Sequence, residues 1–133
     1  MKIRSITYYL NPGWLLDEAA LKQVGSFIAA ARPAYQAGGY EVQSAHLATV
    51  PFPEIVPSLK VDEVILMAKS LETTAGGLGF ECVSLALGPA LTGFPESYTL
   101  IPQLLAATKN TFLFDVIASP EFGVSLPAIS ACA

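Results

Sequence analysis

Four short strand-like runs, at positions 3–10, 40–48, 80–87 and 111–118, are separated by stretches in which apolar residues recur every three or four positions. Runs of that length with Val, Ile, Thr, Tyr and Phe read as strands, and the spacing between them reads as helix. Strands alternating with helices form a mainly parallel sheet, because parallel neighbours need a crossover and the crossover is right-handed. The pattern therefore predicts an α/β fold, a four-stranded mainly parallel sheet with β-α-β crossovers, in one domain over residues 1–133.

Pro and Gly punctuate each unit. The first strand ends at Asn11-Pro12-Gly13-Trp14, since proline lacks the N–H a ladder needs and glycine permits a tight turn. The first helix starts from Asp17, a good N-cap, and its stripe is Leu21, Val24, Ile28, Ala31 and Tyr35. Pro33 should kink or end it, and Gly38-Gly39 stops it. The second strand alternates Ser44, His46 and Ala48 with Gln43, Ala45 and Leu47. As the most polar strand it is expected near an edge. The second helix spans 59–78 with Ser58 as its cap and Val64, Ile65, Ala68, Leu71, Ala75 and Leu78 as its stripe. The third strand is almost continuously apolar, as a strand covered on both faces would be. A third helix follows over 99–108, then the fourth strand. A last helix opens at Ser125 and is cut short at Ala133.

Composition limits the partners. The chain carries 7 basic and 11 acidic residues, a net charge of −4, without a Lys/Arg cluster. Nucleic acid is therefore not an expected partner, because nothing would neutralise its phosphates. No apolar run reaches the ~18–20 residues that span a bilayer, so no membrane partner is expected, and the first residues do not read as a signal peptide. The hydrophobic fraction is 53% and the charged fraction 14%, against about 25% charged in ordinary domains. Such a chain buries a sheet thoroughly or shares apolar surface with a partner. Cys82 and Cys132 form no CxxC pair and read as reduced thiols of a cytoplasmic protein.

Ligands of parallel α/β sheets bind beyond the carboxyl ends of the strands. Those ends are 11–14, 49–54, 88–96 and 119–123. Pro and Gly there serve to end strands. The residues able to contact a small molecule are the polar and aromatic ones beside them: Asn11, Trp14, Glu54, Glu96, Ser119 and Glu121. His46 has no Cys or His at ligand spacing, so no metal site is indicated, and a strand histidine reads first as structural. Asp115 lies in an apolar run, where a carboxylate is costly unless paired or hydrogen-bonded; it is expected either to point to the solvent end of the strand or to meet Arg4 or Lys109. Ser84 lies outside any G-x-S-x-G elbow, and Gly76-Gly77-Leu78-Gly79 ends a helix rather than opening one, so it is not a phosphate loop. Catalytic residues and cofactor stay unassigned.

Three segments carry a family resemblance: MKIRSITYYLNPGW, GGYEVQSAHLATVPFPE, and FPESYTLIPQLLAATKNTFLFDVIASPEFGVSLPAI. Together they resemble the N-terminal portion of the domain-of-unknown-function family numbered 711. The resemblance implies half of a ten-stranded α/β barrel of the pyruvate formate-lyase-like type, with no assigned activity. It does not extend to the glycyl-radical loop or the adjacent cysteine pair, so radical chemistry is not implied. Members of the family are longer, and the second half-barrel is expected to be missing here. If all crossovers lie on one side, the bare face would expose a contiguous apolar patch, and two copies would associate as a homodimer to cover it. A doubly wound sheet, with helices on both faces, is the alternative. In function, the reading is an uncharacterised protein that needs self-association; the alternative is a small-molecule-binding or metabolic enzyme module.

Overall fold

The computed structural model describes residues 1–88, 95–121 and 123–132. Positions 89–94 of the loop expected after the third strand, Phe122 and Ala133 lie outside the described residues. Strand β1 (Lys2–Leu10) leads to helix α1 (Glu18–Ala37), strand β2 (Glu41–Pro51), a short helix α2 (Phe52–Ile55) and helix α3 (Val61–Gly77). Strand β3 (Cys82–Ala86), the short helix α4 (Pro95–Tyr98), helix α5 (Ile101–Ala107) and strand β4 (Thr111–Phe114) follow. A small hairpin, β5 (Ala118–Ser119) with β6 (Gly123–Val124), precedes helix α6 (Leu126–Cys132).

The main sheet has the order β1-β2-β3-β4, with every neighbouring pair parallel. The α/β fold read from the alternation is therefore present. Consecutive strands are spatial neighbours, so right-handed crossovers carry successive helices to the same face. The buried side chains agree. Ala45 and Leu47 of β2, with Val83 and Leu85 of β3, join one core with Leu21, Val24 and Ile28 of α1 and Val64, Met67 and Leu71 of α3. Each fully buried Leu, Ile or Met contributes ~1.5–3 kcal/mol relative to exposure.

Local chemistry explains the element ends. The Asp17 carboxylate accepts from Ala19 N at 2.9 Å and Ala20 N at 3.0 Å, so α1 begins where its cap predicts. Pro33 does not end α1, which runs on to Ala37. The bond a proline removes belongs to the carbonyl of Ala29, an exposed residue that water can serve. Gly39, at φ +80°, then turns the chain into β2. Helix α3 starts after Lys60 rather than Ser58. The Ser58 hydroxyl donates instead to Glu63 at 2.6 Å.

Two carboxylates tie helices to strand ends. Glu81 accepts from Arg32 of α1 at 2.5 Å and from Ala45 N of β2 at 2.5 Å. Glu72 of α3 accepts from Lys109 N at 2.9 Å, Asn110 N at 2.5 Å and the Thr111 hydroxyl at 3.1 Å, fixing the start of β4. Burial opposes the charge on Glu81, but the Ala45 and Arg32 donors outweigh it and hold the carboxyl below its ordinary range.

Three expectations are corrected. Strand β2 is interior, between β1 and β3, while β1 and β4 form the edges. Its polar residues do not mark an edge; they mark the face that carries no helix. Strand β4 ends at Phe114, before the expected 118. The Asp115 carboxylate accepts from Val116 N at 2.7 Å, a local bond that competes with the ladder. Strand β3 is not sandwiched between helix layers: only Val83 and Leu85 belong to the helix-side core.

The face opposite the helices follows from register. Ser5, Thr7 and Tyr9 of β1 stand beside Ser44, His46 and Ala48 of β2. Across from them come Cys82, Ser84 and Ala86 of β3, then Phe112 and Phe114 of β4. This face is small and partly polar in its middle and aromatic at its flanks. Tyr9 is 72% exposed and Phe112 60%. The expected contiguous apolar patch is thus broken by serines and a histidine.

Candidate functional site

On the helix-free face, at the carboxyl ends of the strands, lies a groove of about 350 Å³ lined by Tyr9, Thr49, Pro51, Ala86, Gly88, Phe114, Asp115 and Val116. Its volume falls near the lower end of the ~300–1,000 Å³ typical of ligand pockets. Strand ends build it. Tyr9 comes from β1, Thr49 and Pro51 from β2, Ala86 and Gly88 from β3 and just beyond, and Phe114 to Val116 from the end of β4. The pairing of β2 with β3 shifts register between Ala48 and Pro51. A bulge of this kind re-aims side chains near a strand end. Gly88 sits at φ +111°, a conformation other residues rarely adopt, and brings bare backbone to the wall.

The groove is apolar apart from Tyr9 and two acceptor-bearing side chains. Thr49 is 4% exposed, and its hydroxyl oxygen is buried with no hydrogen-bond partner, the one such side-chain atom among the described residues. A buried hydroxyl without a partner costs ~1–3 kcal/mol. Asp115 is half-buried. The Tyr98 hydroxyl of α4 donates to its Oδ2, and Val116 N donates to its Oδ1. Burial pushes this carboxyl above its ordinary value, against a smaller downward pull from Val116 N–H. Among the described residues no cation lies within ion-pair distance of it. Contrary to the expectation from the sequence, neither Arg4 nor Lys109 is its partner; Tyr98 takes that place. Helix α4 is held over this corner by a second bond, from the Ser97 hydroxyl to Leu87 O at 3.2 Å.

The polar middle of the same face does not form a nucleophile with a base. The Ser44 hydroxyl donates to Arg4 O at 2.9 Å and lies 3.0 Å from His46 Nε2. It has one hydrogen, so with Arg4 O accepting it the imidazole N–H must donate to Ser44. Serine in that state is not activated. Cys82 lies in register with His46, but burial, with the Glu81 charge beside it, raises the thiol above its ordinary value. No group of three His, Cys, Asp or Glu side chains able to hold a metal occurs among the described residues.

The six residues expected from the loops sit at the same sheet edge but do not line this groove. Asn11 is exposed and its side chain accepts from Gly13 N at 3.0 Å, closing the turn after β1. Trp14 packs partly against the core. Glu54 is exposed on α2 and Glu96 on α4. Ser119 belongs to the β5–β6 hairpin, and Glu121 is exposed in its turn. The strand-end principle pointed to this edge, whereas Thr49 and Tyr9 gain their place from the bulge and the helix-free face, which no local pattern encodes. Asp115 was legible as an isolated carboxylate in an apolar run.

A second, larger trough of about 640 Å³ runs along the outer edge of β4, lined mainly by Leu87, Ile101, Leu105, Phe112, Leu113, Ile117 and Ile129. It borders the groove at Asp115 and Phe114, which line both. No described helix is long and apolar enough to cross a membrane.

Comparison with known proteins yields one family and no curated relative. No curated protein matches the chain. The family described as Uncharacterised ACR (DUF711) matches over residues 1–133, the whole chain. A match of that extent agrees with the segments that carry the sequence resemblance and brings no reaction with it. The chain belongs to the Uncharacterised ACR (DUF711) family.

Proposed function

We propose that this chain is a small-molecule-binding module whose site is the groove at the carboxyl ends of the strands, on the face the helices leave open. The orphaned Thr49 hydroxyl carries the reading. A fold that buries a polar group without a partner gives up stability unless something else completes the bond, and a ligand in the groove would do so by shifting the wall that shields this oxygen. The adjoining Asp115 carboxylate, with no ion-pair partner among the described residues, supports it. Asn11, Glu54, Glu96, Ser119 and Glu121 stay in this reading as residues of the surrounding rim, with Trp14 behind them. A fragment screen read by amide chemical shifts tests it. Hits that move Thr49, Ala86, Gly88 and Val116 together are expected, and hits confined to other surfaces contradict it.

The aromatic flank and the bare edge of β4 favour a second reading, that two copies associate through this side. The edge strand Thr-Phe-Leu-Phe has no charged residue to deter pairing. The apolar trough beside it would be covered by the same element of another copy, as the half-barrel resemblance suggests. Sedimentation across a hundredfold range of concentration tests this; a monomer throughout contradicts it. Cytoplasmic location belongs to the same reading, supported by two cysteines that are both free thiols.

A further inference from the structure

We propose that the groove selects a small organic amine with an apolar body, its ammonium group on Asp115 and its body between Tyr9 and Phe114. The inference rests on the groove's being a ligand site and adds the charge of what it takes. Three observations argue for a cation. First, the groove's lining includes one carboxylate and no Lys, Arg or His, so an anion would meet uncompensated like charge. Second, the Asp115 carboxylate has spare acceptor capacity. Ionised, it offers about four lone-pair sites, and Tyr98 and Val116 N occupy two. An ammonium supplies three donors, of which one or two can reach these oxygens. A half-buried carboxylate without a cation gains most from such a bond. Third, the walls that approach Asp115 include two aromatic rings, Tyr9 and Phe114, whose faces attract a cation and whose edges pack an apolar body.

Thr49 discriminates further. Its buried hydroxyl has nothing to donate to or accept from within the protein. Where the wall shifts to admit it, an amine carrying a nearby hydroxyl or a second N–H would complete that bond, and a purely apolar amine would not. The net charge of −4 also favours encounter with a cation over an anion.

The test titrates the full chain with three probes of matched shape, phenethylamine, 2-phenylethanol and 3-phenylpropanoate, following the amide spectrum. Phenethylamine is expected to move Thr49, Ala86, Gly88 and Val116, and to bind at least about tenfold more tightly than the alcohol, the scale of one charge-assisted bond. The propanoate should bind most weakly. D115N should erase the preference for amine over alcohol, with the dispersion of its spectrum reporting its folding. F114L keeps the carboxylate and should reduce the preference in part. If the alcohol or propanoate binds these residues as tightly as the amine, the amine inference is overturned while the groove remains a ligand site. If none of the three moves these residues, or the amine moves only distant acidic surfaces, the inference falls and the groove reading falls with it.

Discussion

At the residue scale, the molecule departs from simple stability at Thr49 and Asp115, and both face one groove. Thr49→Val removes a buried hydroxyl without changing side-chain shape. It should raise the unfolding free energy by ~1–3 kcal/mol, measured by urea denaturation, because nothing in the fold loses a bond. A loss of stability would mean that the hydroxyl already has a partner and that its role in the groove is misassigned. A stabilised variant that also binds ligand less well would show the trade of stability for function seen at binding sites. Asp115 makes a pH prediction with a definite sign. Its folded carboxyl is raised by burial, so proton binding favours the folded state. Its contribution is fully present below the ordinary carboxyl range, about 3.9, and is lost as pH rises through the folded value. The side chains that share its pockets or hydrogen-bond it, Tyr98, Tyr9 and Cys132, include no Lys, Arg, His or second carboxylate. The stability of Asp115→Asn relative to the parent should therefore climb with pH across the interval and level off above it. A relative stability that falls with pH would place a cation beside Asp115.

At the element scale, α1 meets Leu78, the residue that caps α3, at a position where α1 has no side chain. A Cβ built on Gly25 would come within 2.7 Å of Leu78 Cδ2 and 3.1 Å of Leu78 Cβ. Gly25→Val should therefore destabilise by ~1–3 kcal/mol through overpacking, read as a lower midpoint in thermal or urea unfolding. An unchanged midpoint would mean that Leu78 swings aside freely and that the contact between the two helices is loose. Much of this level was legible beforehand. Asp17 capped the first helix as its chemistry requires, and the apolar stripes of α1 and α3 were read from their spacing. What the sequence concealed was competition between local and tertiary bonds. Ser58 looked like a cap but hydrogen-bonds Glu63 instead. Asp115 looked like part of a strand but ends it, by turning its carboxylate onto the next N–H. Pro33 looked like a stop but falls where the freed carbonyl is exposed.

At the scale of the whole molecule, alternating strands and helices pointed to the parallel sheet, and the all-parallel order β1-β2-β3-β4 realises it. The difference between the two faces was harder to read. Residues such as Ala48, Cys82 and Ala86 are small and buried, so in sequence they look like core. They lie instead on the helix-free face, and they stand apart from the core that binds the helices. The polar character of Ser44 and His46 was visible in the sequence but suggested an edge strand. It belongs to an open face whose carboxyl end carries the groove. The candidate site was thus legible as a sheet edge and one isolated carboxylate, while its floor and its orphaned hydroxyl arise only when the four strands are assembled.

The account depends on all the crossover helices lying on one side of the sheet, which leaves the other for binding. Methyl-to-methyl nuclear Overhauser contacts measure this directly. The account predicts contacts from Leu47 and Leu85 to Val24, Ile28, Met67 and Leu71, and none from Ala48 or Ala86 to α1 or α3. Contacts from Ala48 and Ala86 to either helix would make the sheet doubly covered, and would close the face on which the groove and its ligand depend.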